Sequence, residues 1–270
     1  MKLILQIVKF CIVGGNYLFT KEEMDAFIKK EPLSERYFHP WYGSEEFIHN
    51  SPRYCLWLGD CTPAQIKSLP HCLKLVDNVK RLRLASVSAP TRKLAEKPTR
   101  FHVENMPADN YIVIPETSSE KRRYIPIGFM TPHTFCSNAL KLIPDSSLYH
   151  FGILTSNVHM AWMRVVCGRL KSDYRYSKDI VYNNFPWPET IAAKKEKIEK
   201  TAQTILDVRA KYPDCSLADL YDELTMPSEL RAAHRENDKA VMEAYGFNWR
   251  TMTESDCVAQ LFKMYEQLTR

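Results

Sequence analysis

Along the chain the spacing of apolar positions alternates between helical and strand-like, then becomes wholly helical. Residues 20–30, TKEEMDAFIKK, predict a short helix. Thr20 can cap its first turn, and Glu23, three residues on, can return the bond. The stretch 31–54 is aromatic and rich in turn formers, and reads as an ordered connector. RYCLWLGD (53–60) is a short apolar run that fits a buried strand. TPAQIKSLPHCLKLVDNVKRLRLAS (62–86) opens on Thr62-Pro63, a cap followed by a residue suited to the first helical position. Apolar residues at 73, 76, 79, 82 and 84 then form a helical stripe, with lysines and arginines opposite.

Residues 86–102 read as a loop with prolines at 90 and 98. After it NYIVIPET, RYIPIGFM, ALKLIPD and LYHFGILTS, all within 110–156, predict strands, because β-branched and aromatic residues are separated by turn signals. SNVHMAWMRVVCG (156–168) returns to helical spacing, with Gly168 placed to end it. A last strand is expected near KDIVYNNF, stopped by PWP at 186–188. From 189 onward three amphipathic helices follow, with Pro227 and the Thr253–Asp256 pair at starts and Gly246 past an end. The pattern predicts an α+β chain: a connector over 1–37, a mixed α/β domain over 38–188 and an all-helical C-terminal domain over 189–270.

Charge sharpens this division. Residues 1–60 carry net −1, residues 61–188 net +9 and residues 189–270 net −3. A cationic middle suggests a polyanionic partner; a solvated basic face without a partner is the alternative. The first sixteen residues slightly resemble a signal peptide, but Lys9 interrupts the apolar run and no small-residue cleavage site follows. The run is too short to span a bilayer. The abrupt start fits a piece of something longer. Eight cysteines without a CxxC pair fit reduced thiols in a cytoplasmic protein better than a zinc site at Cys61, His71 and Cys72.

Enzyme signatures are absent. No GxGxxG, Walker loop, Gly-x-Ser-x-Gly or H-E-x-x-H occurs. His102, His150 and His159 lie in strand or helix patterns, where a structural histidine is the commoner outcome. NNFPWP (183–188) superficially suggests the Asn-Pro-Pro-aromatic turn of enzymes that methylate base amino groups, but the Pro-Pro pair is missing, so it reads as a terminator whose aromatics pack. The remaining chemistry is cationic. Nine basic residues lie between 63 and 103, a second cluster is Lys121, Arg122 and Arg123, and a third mixes Arg169, Lys171, Arg175 and Lys178 with Tyr174 and Tyr176. Arginine forks grip phosphates or guanine edges, and a carboxylate such as Glu120 can accept from a cytosine amino group or pair with a neighbouring arginine.

SPRYCLWLGD, RLASVSAPTRKLAEKPTRFHVEN, SSEKRRYIPIGF and HMAWMRVVCGRLKSDYRYSKDIVYNNFPWP, in that order, resemble the C-terminal portion of the MmeI-like (type IIL) restriction–modification DNA methyltransferases. SLADLYDELTMPSELRAAHRENDKAV resembles the helical tail of the same proteins. The resemblance implies a target recognition domain over 38–188, double-stranded DNA as partner, and a catalytic core on the same or a separate chain. That core would be an S-adenosylmethionine-dependent adenine-N6 methyltransferase. The cofactor motif and the Asn-Pro-Pro-aromatic motif are missing from this sequence, so no catalytic residue, cofactor site or metal is expected in it. A fragment, a truncated product or a separately encoded subunit would fit.

The DNA-binding candidates are Arg92, Lys93, Arg100, Lys171 and Arg175 for positioning, with Lys121, Arg123 and Tyr174 beside them. Glu120 and Arg122 are the candidates for base reading, since strand alternation would point them the same way. A complete enzyme with an unfamiliar site, or a protein-interaction module docking its basic face on an acidic partner, stay open.

Overall fold

A computed structural model describes residues 6–7, 13–102, 104 and 106–269; most of the apolar start, with Lys9, lies outside them. The first third holds β1 (Gln6–Ile7), β2 (Leu18–Phe19), α1 (Lys21–Lys30), β3 (Phe38–Tyr42), α2 (Ser44–Ile48), β4 (Arg53–Leu56), α3 (Pro63–Lys67), α4 (Pro70–Leu84) and α5 (Ala89–Lys93). The middle holds β5 (Tyr111–Pro115), β6 (Thr117–Ser118), β7 (Gly128–Met130), β8 (Phe135–Cys136), β9 (Leu140–Ile143), α6 (Leu148–Leu154), α7 (Asn157–Val166), β10 (Gly168–Leu170) and β11 (Asp173–Arg175). The tail is α8 (Ala192–Ala210), α9 (Leu217–Leu220), α10 (Ser228–Ala244) and α11 (Glu254–Thr269). No described helix is long and apolar enough to cross a membrane.

The organising element is the four-stranded sheet β1-β9-β5-β7. Its central strands are buried on both faces, so successive side chains feed two different cores. Ile112 and Ile114 of β5, with Ile143 of β9, join Phe151, Trp162 and the tail residues Ile198, Leu230 and Leu261. Tyr111 and Val113, with Leu140 and Leu142, join Tyr17, Trp41, Leu56 and Val79. The helical tail is therefore fused to the α/β part through one continuous core. At the junction Gly152 lets α6 approach α8. A Cβ there would lie 2.6 Å from Cγ2 of Ile198 and 3.1 Å from Oδ1 of Asn237.

Several local expectations hold. Thr20 and Glu23 form a capping box on α1, and Thr62 caps α3. Thr253 and Asp256 exchange bonds at the start of α11, and Gly246 takes a φ of +74° past the end of α10. Others are corrected. The segment 62–86 is two helices, because Pro70 has no N–H to continue the first and instead starts the second. LYHFGILTS is helix α6, started by Ser147 and His150, rather than a strand. KDIVYNNF forms a π-helical turn, Lys178–Tyr182. RYIPIGFM is extended in a sheet only from Gly128. Gly168 does not end α7; the chain already leaves it at Cys167, and Gly168 opens β10.

One helix start depends on a distant residue. Leu69 offers no side-chain cap to α4. Buried Glu31 supplies one instead, accepting from the amides of His71 and Cys72 at 2.9 Å each. A carboxylate here meets both free N–H groups and the positive end of the helix. Glu31→Ala is expected to lower unfolding free energy by ~2 kcal/mol, read from the urea midpoint. A midpoint unchanged would remove Glu31 from the stability of α4.

Candidate nucleic-acid interface

The third basic cluster is built on a small sheet, β10-β11-β6. β10 and β11 form a hairpin in which Gly168 faces Arg175 and Leu170 faces Asp173. The turn is Lys171–Ser172, and Lys171 adopts a φ of +55°, a conformation that glycine accepts more readily. Arg169 lies opposite buried Tyr174 with its guanidinium 4.2 Å from the ring centroid. Arg169 Nη1 also donates to the Ser172 carbonyl at 2.8 Å and reaches Glu120 at 3.5 Å.

Arg175 is paired within the chain. Its Nε donates to Glu116 at 3.0 Å, and the buried Lys141 ammonium reaches the other Glu116 oxygen at 2.6 Å. Burial alone would raise the Glu116 carboxyl; the two cations overcome it and hold the group below its usual range.

Glu120 and Arg122 do not lie on a strand, so the alternation argument fails. β6 ends at Ser118, and a turn follows in which the Arg122 amide donates to the Ser119 carbonyl at 3.2 Å. Glu120, Lys121 and Arg123 are exposed. Arg122 is half-buried; desolvation lowers its pKa, while Asp173, Asp222 and Glu45 act on it in the opposite sense.

The first cluster belongs to another part of the surface. Arg83 is fully buried and donates to the carbonyls of Leu94, Lys97 and Arg100 at 3.0, 3.0 and 2.7 Å. It organises the loop rather than presenting charge. Exposed Arg92 donates Nη1 to the carbonyls of Ser86 and Val87, both at 2.9 Å. Arg100 pairs with Glu104 at 2.7 Å, and Lys93 is exposed. Phe101 anchors this loop in the core of the first third, whereas Tyr174 anchors the hairpin in the core shared with the tail. The structure thus gathers Glu120, Lys121, Lys171, Tyr174 and Arg175 on one small sheet and its turns. Arg92 and Lys93, which end α5, and Arg100 in the loop after it lie on a separate part of the surface.

Two of the three candidate histidines, His159 and His150, serve the fold, whereas His102 is exposed. His159 is buried against Tyr176, 3.0 Å from its hydroxyl, and desolvation pushes its pKa down to about 3. His150 closes the first turn of α6. NNFPWP packs as well: Phe185 is buried edge-on to His159, and the Tyr245 hydroxyl donates to the Pro186 carbonyl at 2.8 Å. Among the described residues no group of three or more His, Cys, Asp or Glu could hold a metal ion.

The family description "MmeI, target recognition domain" matches residues 7–189, and "MmeI, C-terminal domain" matches residues 191–270. The chain belongs to the MmeI family. It is 43% identical to the solved Type IIL restriction-modification enzyme MmeI, a complex with DNA, and superposes with a TM-score of 0.96. That match covers 100% of this chain and 36% of the other. DNA methyltransferase A of Bacillus subtilis (strain 168) is 40% identical over 256 residues, 95% of this chain. This MmeI-family chain therefore spans 29% of the length of that curated relative.

Sequence reasoning missed three residues that shape the MmeI-family surface: Arg83, Lys141 and Arg164. Arg83 is hidden in the basic run Lys80-Arg81-Leu82-Arg83, whereas Lys141 and Arg164 are each a single cation inside an apolar pattern. That is a usable signal, because a cation placed there must find carbonyls or a carboxylate.

Proposed function

We propose that this chain selects a short duplex DNA sequence and presents it to an S-adenosylmethionine-dependent adenine-N6 methyltransferase core. The observation that carries the reading is near-complete coverage of the chain by a family whose solved member is a complex with DNA. The reaction and its cofactor belong to that core. A cleft of about 390 Å³, lined by Arg123, Asn157, Arg164 and Cys257 among others, has no glycine in its wall and does not fit S-adenosylmethionine.

Phosphate contacts come from Arg92, Lys93, Arg100, Lys171 and Arg175, with Lys121 and Arg123 beside them, and they set register and orientation. Tyr174 acts beneath the surface, as the platform that holds Arg169 over it. Glu120 and Arg122 read base edges from one turn rather than one strand face. Arg175 must exchange Glu116 for a phosphate, and Glu120 must leave Arg169, so both are held in reserve by internal partners until DNA arrives.

Binding of the purified chain to duplex DNA is expected to weaken steeply with salt. Arg92→Ala, Arg122→Ala and Arg175→Ala together are expected to flatten the slope of log affinity against log salt by roughly 2, about one for each of the phosphate contacts of Arg92 and Arg175. An unchanged slope removes these residues from the interface. Absence of binding at moderate salt favours docking on an acidic protein instead.

A further inference from the structure

Between the 119–122 turn and β7 the chain passes through residues 123–127 without helix or strand. Its anchors come from helices. Arg164, in the last turn of α7, donates Nη2 to the Arg123 carbonyl at 2.8 Å. Its Nη1 lies 3.0 Å from both carboxylate oxygens of Glu254, the first residue of α11. The Tyr124 hydroxyl donates to Asp238 of α10 at 2.7 Å, and its ring stacks on His234 of the same helix at 4.2 Å and 21°. Arg209 of α8 donates Nη1 to the Ile127 carbonyl at 2.7 Å.

Tyr124 and Ile127 are buried, but Arg123 is exposed, and the cleft opens between Arg123, Arg164 and Cys257. On that side the Arg123 guanidinium lies 5.7 Å from the Tyr124 ring, but that contact holds the side chain and leaves the backbone carbonyl to a partner. The Arg164 fork is that partner.

We propose that the C-terminal helices are a positioning device for the Glu120–Arg123 turn, with Arg164 and Glu254 as its latch. Glu254 fixes one edge of the guanidinium, and the other edge fixes the backbone at Arg123. Moving α11 therefore moves the residue that follows Arg122. Arg164 and Glu254 are positioning residues: they act on DNA choice through the turn and not by touching a base. The inference rests on the reading of that turn as a DNA contact.

Two measurements on the full chain test it. In amide hydrogen exchange, Arg164→Ala is expected to raise rates within 119–127 at least tenfold and to leave Tyr111–Pro115 of β5 unchanged. Glu254→Gln, which loses the charge and keeps the shape, should raise them less. In selection from a randomised duplex library, Arg164→Ala is expected to lose preference at one or two positions of the word the unaltered chain enriches. Arg164→Lys, with a charge but no fork, should fall between. Unchanged exchange at 119–127, an equal rise in β5, or an unchanged word overturns the latch. If the unaltered chain enriches no word, the DNA reading fails instead, and the exchange measurement alone decides the latch.

Discussion

Arg83→Ala is expected to cost ~3–5 kcal/mol of unfolding free energy and to release the loop that follows α5. The guanidinium is fully buried at the end of α4 and donates to three carbonyls spread over residues 94–100. Burial lowers its pKa, as expected for a cation whose water has been replaced by backbone oxygens. Removing it strands those oxygens beside Phe101 and the Tyr17 hydroxyl, which itself donates to the Pro98 carbonyl. A domain's whole stability is about 5–15 kcal/mol, so this single loss is a large share. The loop should become the first site of proteolysis, because its backbone bonds open locally before the core does. DNA affinity should fall with it, since Arg100 rides on this loop and Arg92 and Lys93 end the helix that leads into it. Arg83→Lys should rescue little, as one ammonium on a flexible stem does not span three acceptors. The measurements are denaturant midpoint and limited proteolysis; a variant within about 1 kcal/mol of the parent, with an intact loop, would contradict this account.

Acid should destabilise the protein well above the carboxylate range. Two histidines, His159 and His234, are fully buried. Desolvation pushes His159 down to about 3 and His234 well below its usual value, with Arg209 and Arg123 adding to the latter. In the unfolded chain both titrate near 6.5. Below that pH the unfolded state takes up protons that the folded state refuses, so their contribution is intact above 6.5 and is lost as pH falls toward 3. For His159 the full interval is worth ~5 kcal/mol at 1.36 kcal/mol per pH unit.

Asp238 acts in the opposite sense. Burial raises it to about 6, against bonds from Tyr124 and Asn157 that favour the anion. The folded state therefore binds this proton first, and the contribution of Asp238 grows as pH falls from about 6 toward its unfolded value. Two histidines outweigh one carboxyl. A net loss of roughly 2–3 kcal/mol is expected between pH 7 and pH 5, measured by urea unfolding at fixed salt. His159→Gln, whose amide can bond the Tyr176 hydroxyl as donor or acceptor, should make the pH slope shallower whatever it does to absolute stability. A stability level across pH 5–7 would show that the two rings carry their charge inside the fold.

What could be read from the chain alone is what local chemistry controls. Thr20, Thr62 and Thr253 announced their helices because a capping oxygen and its partner sit within one turn. The runs at 111–115 and 140–143 announced buried strands because both sheet faces are covered. The quoted motifs were long and ordered enough to identify the MmeI family.

Tertiary structure decided the rest. Apolar spacing put residues 73, 76, 79, 82 and 84 on the inner face of α4; Val76 and Val79 are buried there, but Cys72 and Arg83 join them while Leu73, Leu82 and Leu84 are exposed. A periodic pattern cannot tell that three carbonyls wait beside position 83, so a charge moved inward and leucines outward. LYHFGILTS has strand-forming composition but became a helix, because only a helix lays Phe151 and Gly152 against α8. Glu120 and Arg122 were two apart on an assumed strand. The chain turned after Ser118 because residues 123–127 are held by helices more than thirty positions away, and contacts at that separation leave no trace in local sequence.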